Sequence, residues 1–155
     1  MNPKISDTLN LLSALTVKRA FNALRVLTSY YFSKLLKRPH QWGMPVSIAI
    51  EPTTACNLGC PECPSGLKKF TRQTGNLKED FFKQTIDELT EHIFYLTFYF
   101  QGEPYIHPKF LEMVKYANNK NIYTATSTNA HFLNDENARK TIESGLKRLT
   151  ISIDG

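Results

Sequence analysis

"VSIAIEPTTACNLGCPECPSG", residues 46–66, joins a short apolar run to a loop that holds Cys56, Cys60 and Cys63. These are all the cysteines of the chain. The run VSIAI (46–50) predicts a strand that feeds directly into the loop. Thiols gathered at a strand end, with gaps of three and two residues, point to a soft metal centre. A disulfide framework needs pairs and spreads them along the chain. The odd number, with no signal-peptide pattern ahead of it, points to a reducing compartment, and the cytoplasm is the expected location.

Downstream of the loop, strand-like and helical runs alternate. NLKEDFFKQTIDELTE (76–91) reads as a helix, with Asn76 as N-cap and Glu79 at capping-box spacing. HIFYLTFYF (92–100) is rich in aromatic residues and predicts a buried strand, its aromatic run being core. A second helix is expected from Pro108 through KFLEMVKYANN, with His107 as a helix-entry residue. IYTATS (122–127) is a third strand. NDENARKTIES (134–144) is a third helix, stopped by Gly145, and LKRLTISID (146–154) supplies a fourth strand. Strands separated by helices imply right-handed crossovers and a parallel sheet, so the fold class is α/β, with residues 45–155 as its core domain.

In such sheets ligands gather at the carboxyl ends of the strands. The unusual residues fall there. Strand one ends in the cysteine loop, strand two in QGEP (101–104), strand three in STNA (127–130) and strand four in SIDG (152–155).

Upstream, residues 7–37 read as one helix. Ala20, Leu24, Leu27, Tyr31 and Leu35 share one face, and Lys18, Asn22, Arg25 and Ser29 line the other. KRPHQWG (37–43) ends it, because Pro39 disfavours helix in the residue before it. Residues 1–44 thus form an amphipathic helix and linker. The apolar face is expected to pack on the domain or on a neighbour; a basic helix lying on a membrane surface is the alternative. No apolar run is long enough for a membrane span, because Lys18, Arg19 and Arg25 interrupt the best one.

The 155 residues, 41% hydrophobic and 21% charged, are those of one folded domain with a core. The net charge of +5 and pI near 9.1 do not by themselves indicate nucleic acid, and none is expected as a partner.

Three thiolates supply three of four ligands to a soft metal. A structural zinc site needs a fourth protein ligand, and His92, His107 and His131 have no finger or ribbon spacing. An iron–sulfur cube takes cysteine thiolates as its standard ligands. Read from the residues alone, an enzyme, a zinc- or iron–sulfur-binding module and an electron carrier all remain open.

Cys56-x3-Cys60-x2-Cys63 after a first strand resembles the signature of the radical S-adenosylmethionine (radical SAM) superfamily. QGEP resembles that family's Gly-Gly-Glu-Pro motif after strand two, and the TN and SIDG ends follow in the family's order, so the likeness spans residues 46–155. CNLGCPECPSG and SIDG are most similar to the branch that carries a C-terminal SPASM extension. The resemblance implies a partial parallel (β/α) barrel, a [4Fe–4S] cluster on Cys56, Cys60 and Cys63, and S-adenosylmethionine on the iron they leave free. Reduction by an electron donor would give a 5′-deoxyadenosyl radical that takes hydrogen from a peptide or small-molecule substrate. The cofactor-binding residues it implies are Gly102, Glu103, Pro104, Thr128, Asn129, Ser152 and Asp154. Glu103 would accept from an ammonium group, and Ser152 would meet the ribose hydroxyls.

Two positions depart from the family pattern. Glu62 stands where an aromatic residue is common, and Gln101 replaces the first glycine. The family core has six βα units against four strands here, so the chain is expected to be the N-terminal part of a longer protein.

Overall fold

The computed structural model describes residues 3–153. Asp154, in the last expected site motif, lies outside them. The described chain runs α1 (Pro3–Ser13), α2 (Val17–Leu36), β1 (Ser47–Ile50), α3 (Glu79–Leu89), β2 (Tyr95–Phe98), a 3-10 turn (Pro104–Ile106), α4 (Phe110–Asn119), β3 (Tyr123–Thr128), α5 (Asp135–Ser144) and β4 (Arg148–Ile151). The four strands lie in the order β1-β2-β3-β4 and every pair is parallel. Ser47 sits beside Tyr95, Tyr95 beside Tyr123, and Ala125 beside Arg148. The expected partial parallel barrel is thus present as an open, four-stranded segment.

The main core lies between the sheet and helices α3 and α4. Leu96 and Phe98 of β2 meet Phe82 and Ile86 of α3 and Phe110, Met113, Val114 and Ala117 of α4, all at most 1% exposed. Alternation along the strand sends Tyr95 to the other face, where its ring stacks on Tyr123 with centroids 5.1 Å apart. Helix α1 covers that end of the face. Ala14 and Leu11 join Tyr95, Tyr123 and Ala125 in a smaller cluster. Asp7 accepts hydrogen bonds from the Tyr123 hydroxyl and the Arg148 guanidinium. The two bonds, Tyr123 first, hold the Asp7 carboxyl below the usual carboxylate range.

The single helix expected over 7–37 is two helices. Arg19 Nη1 donates to the Ala14 carbonyl at 2.7 Å, an acceptor that an unbroken helix would give to residue 18, and Thr16 caps α2 by accepting from the Arg19 N–H. The expected orientation is also overturned. The buried residues of α2 are Arg19, Asn22 and Ser29, whereas Leu24, Leu27, Tyr31 and Leu35 are 52–77% exposed. Hydrogen bonds explain the inversion. Arg19 donates to Thr90 O at the end of α3, to Lys120 O and Asn121 O after α4, and to Ala14 O after α1. One guanidinium thereby satisfies the carbonyl ends of three helices, where their dipoles are negative. Asn22 pairs with both the N–H and the carbonyl of Met44.

Other expectations shift locally. Asn76 does not cap α3: Lys78 holds that position without a side-chain bond, and Asn76 pairs with Thr53 in an isolated bridge. The aromatic run is core only through Phe98. Beyond the strand end, Tyr99 and Phe100 are 50% and 71% exposed. Gly145 closes α5 with φ of 78°, as expected, and Asn134 stands just ahead of the helix as its cap, accepting from the Asn137 N–H at 2.8 Å. His107 is buried at the entry to α4, its Nδ1 accepting from the Lys109 N–H at 3.0 Å.

Candidate functional site

The carboxyl ends of four adjacent parallel strands share one edge of the sheet. The cysteine loop leaves β1 through Glu51–Ala55 and is closed at its base by Thr54 and Gly75. The Thr54 N–H donates to Gly75 O at 3.1 Å, and the Gly75 N–H donates to Thr54 Oγ1 at 2.9 Å. Within it, the Cys63 N–H donates to Cys60 O at 3.2 Å and the Leu67 N–H to Cys63 O at 2.9 Å. Gly66 sits so close to Cys60 that a Cβ would stand 2.4 Å from its nitrogen.

All three cysteines are free thiols; Cys60 is exposed, Cys56 and Cys63 half-buried. Hydrogen bonding from the backbone of Gly66, with lesser help from Ser65, lowers the Cys63 thiol below its ordinary value and favours the thiolate. Among the described residues no three His, Cys, Asp or Glu side chains are already gathered as a metal site. The donor set itself fits an iron–sulfur cluster: three soft, reachable sulfurs on one loop, with no disulfide competing for them. A cavity of about 270 Å³ lies beside it, lined by Cys56, Ser65, Phe70 and Arg72 among others. A larger one, about 350 Å³, opens between α4 and α5 in the outer layer, and no cysteine lines it.

The end of β2 is locked onto this loop. The Glu103 N–H donates to Ala55 O at 2.8 Å and the Gly102 N–H to Ser65 Oγ at 3.2 Å. Gly102 has φ of 77°, and a Cβ there would lie 2.1 Å from Thr53 O. Both the conformation and the space demand glycine. Glu103 is 2% exposed. Its Oε1 accepts from Thr128 Oγ1 at 2.8 Å and from the Tyr105 N–H at 3.2 Å, and its Oε2 accepts from the Asn129 N–H at 2.9 Å. The carboxylate that the resemblance assigns to an ammonium group also joins the ends of β2 and β3 through these three bonds. Pro104 is the first residue of the 3-10 turn that follows.

Thr128 is buried, and its hydroxyl is engaged by Glu103 and the Ala130 N–H. Asn129 turns back to the cysteine loop, its Nδ2 donating to Asn57 Oδ1 at 2.9 Å. Asn57 in turn lies 3.0 Å from His131 Nδ1. Ser152 is exposed on the same rim, its N–H donating to Thr128 O at 2.9 Å. The structure thus brings Gly102, Glu103, Pro104, Thr128, Asn129 and the cysteine loop into one bonded unit, with Ser152 at its border. Sequence reading missed Asn57 and Ser65, single polar residues inside the loop whose partners lie 72 and 37 positions away. Glu62 is exposed.

Comparison with known proteins agrees with this geometry. The profile of the Radical SAM superfamily matches residues 50–155. The chain is 35% identical over 117 residues to mycofactocin maturase MftC of Mycobacterium ulcerans, covering 75% of this chain and 31% of that protein. It is 30% identical over 114 residues to the PqqA peptide cyclase of Bradyrhizobium diazoefficiens, covering 74% of this chain and 30% of that protein. The AdoMet-dependent heme synthase of Methanosarcina barkeri is 32% identical over 111 residues, or 72% of this chain and 32% of that protein. The fold matches that of BtrN in complex with AdoMet and 2-DOIA, with a TM-score of 0.61 at 21% identity, over 70% of this chain and 45% of that one. The chain spans about a third of the length of these curated relatives. It belongs to the radical SAM superfamily, and that membership implies a [4Fe–4S] cluster and S-adenosylmethionine as cofactors.

Proposed function

Starting from that membership, we propose that the chain carries the cluster- and cofactor-binding part of a radical SAM enzyme acting on a peptide substrate. One observation carries the reading: the loop holding every thiol of the chain is locked to QGEP through Gly102, where no side chain fits, and through the Glu103 N–H. Cys56, Cys60 and Cys63 would hold the cluster, which would supply one-electron reduction of S-adenosylmethionine and so the radical chemistry that takes hydrogen from a substrate.

The residues of the chain take distinct parts. Gly66 and Ser65 stabilise the Cys63 thiolate as a ligand. Gly102 lets the β2 end lie against the loop, and Pro104 fixes the turn beyond it. Thr128 and Asn129 are positioning residues, acting through Glu103. Ser152 provides a polar group for the ribose, and Asp154 one for the adenosine and methionine portions. The same reading draws the domain boundary between residues 44 and 45, the cofactor-binding unit being 45–155.

The likeness of CNLGCPECPSG and SIDG to the SPASM-bearing branch supports that branch, and the PqqA peptide cyclase among the relatives supports a peptide substrate. Three unpaired thiols support a reducing, cytoplasmic setting with a cellular electron donor. Among the described residues no helix is long and apolar enough to cross a membrane.

The test is electron paramagnetic resonance of the anaerobically reconstituted, dithionite-reduced chain, with and without S-adenosylmethionine. A [4Fe–4S]⁺ signal that changes on adding S-adenosylmethionine is expected, and it disappears in the Cys56→Ala/Cys60→Ala/Cys63→Ala variant. A folded chain that takes zinc but no iron–sulfur cluster overturns the proposal. So does a cluster signal indifferent to S-adenosylmethionine.

A further inference from the structure

Helix α2 turns its polar stripe to the protein and leaves its apolar stripe in water. Arg19, Asn22 and Ser29 are at most 5% exposed, whereas Val17, Phe21, Leu24, Tyr31 and Leu35 are 55–87% exposed. We infer that this face of α2 seats the protein on an anionic lipid surface.

Charge selects the occupant. Residues 1–45 carry seven Lys and Arg against one Asp, and that Asp7 is bonded to Arg148 and Tyr123. Residues 46–155 carry twelve Lys and Arg against thirteen Asp and Glu, so the chain's whole positive surplus lies in the helical segment. No acidic residue occurs in α2. At 100° per residue, Arg25 and Lys34 fall on opposite flanks of the apolar stripe, where a long side chain can bury its stem and leave its charge among headgroups. Among the described residues, no carboxylate pairs with Arg25, Lys34, Lys37 or Arg38. Phe32 and Trp42, 38% and 41% exposed, add the aromatic rings that favour an interface. A surface for a second protein copy would gain nothing from this charge, because the same patch on both copies would repel itself.

The seat is rigid and correctly placed. Arg19 and Asn22 bind the backbone of residues 90, 92, 120 and 121, just ahead of β2 and β3. Helix α2 is therefore fixed at the edge opposite the cysteine rim. A protein held through α2 keeps that rim facing away from the bilayer. The inference stands apart from the chemistry of the rim and does not depend on a bound cluster.

The test is co-sedimentation of the chain with vesicles of phosphatidylglycerol and phosphatidylcholine, and with phosphatidylcholine alone. Salt-sensitive binding to the anionic vesicles is expected, and much weaker binding to the neutral ones. Leu24→Gln with Leu27→Gln should weaken it by about tenfold per leucine or more. Arg25→Gln with Lys34→Gln and Arg38→Gln should weaken it about 100-fold. All five side chains are exposed, so circular dichroism of both variants should match the parent. Equal affinity for the two vesicles, or no binding to either, overturns the inference. So does a concentration-dependent dimer, seen by light scattering, that Leu24→Gln with Leu27→Gln dissolves.

Discussion

Helices α4 and α2 are both amphipathic, and they turn opposite faces to the protein. Helix α4 buries Phe110, Met113, Val114 and Ala117 against the sheet; α2 buries Arg19, Asn22 and Ser29 and exposes its leucines. The difference lies in what each helix meets. Helix α4 crosses the apolar side of β2, so area removed from water fixes its orientation. Helix α2 meets helix ends and strand entries, where the carbonyls of Thr90, His92, Lys120 and Asn121 take their donors from Arg19 and Asn22, and there the hydrogen-bond complement decides. The rim is built in the same way as the seat of α2. Glu103 is buried because Thr128, Tyr105 and Asn129 supply its donors.

The sharpest way to break this comparison is to truncate one member of each face. Phe110→Ala should destabilise the chain by about 3–5 kcal/mol, and Leu24→Ala by no more than about 0.5 kcal/mol, in urea unfolding. Comparable losses for the two would mean that α2 buries its leucines after all. Arg19→Met comes next. It strips donors from the carbonyls of Ala14, Thr90, Lys120 and Asn121 at about 2–4 kcal/mol, and Arg19→Lys should recover little because an ammonium lacks the planar fork. A fully stable Arg19→Met would show that apolar contact alone holds α2.

Glu103→Gln probes the rim. An amide has one acceptor oxygen where the carboxylate has two, so the bonds from Thr128 and Asn129 cannot both be kept. A loss of about 1–3 kcal/mol is expected, with faster hydrogen exchange at the Asn129 amide. Unchanged exchange there would remove Glu103 from its role as the joint.

The smallest effect is at Asp7, which ties α1 to Tyr123 and Arg148. Its carboxyl is held below the ordinary value, so its stabilisation is full above about pH 5 and is lost as pH falls through the lowered folded-state value. Asp7→Asn should lower the melting temperature by about 2–4 °C at neutral pH, since the site is partly screened by solvent, and the gap to the parent should close in acid. A gap independent of pH would mean that the charge contributes nothing.

The sequence by itself determined the α/β order, the parallel sheet and the carboxyl-edge location of the cysteine loop and of QGEP. It also determined the helix stop at Gly145, since short-range periodicity and residue chemistry act over a few positions. Only the tertiary structure decided which face of α2 is buried, why residues 7–37 break at Ala14–Thr16, and that Glu103 binds Thr128 and Asn129. Each of these depends on partners far away in the chain, such as Arg19 with Asn121 across 102 positions and Asn129 with Asn57 across 72. An amphipathic pattern states that two faces differ. Which of them meets protein is settled by the groups opposite, and for α2 those groups are backbone carbonyls that need donors.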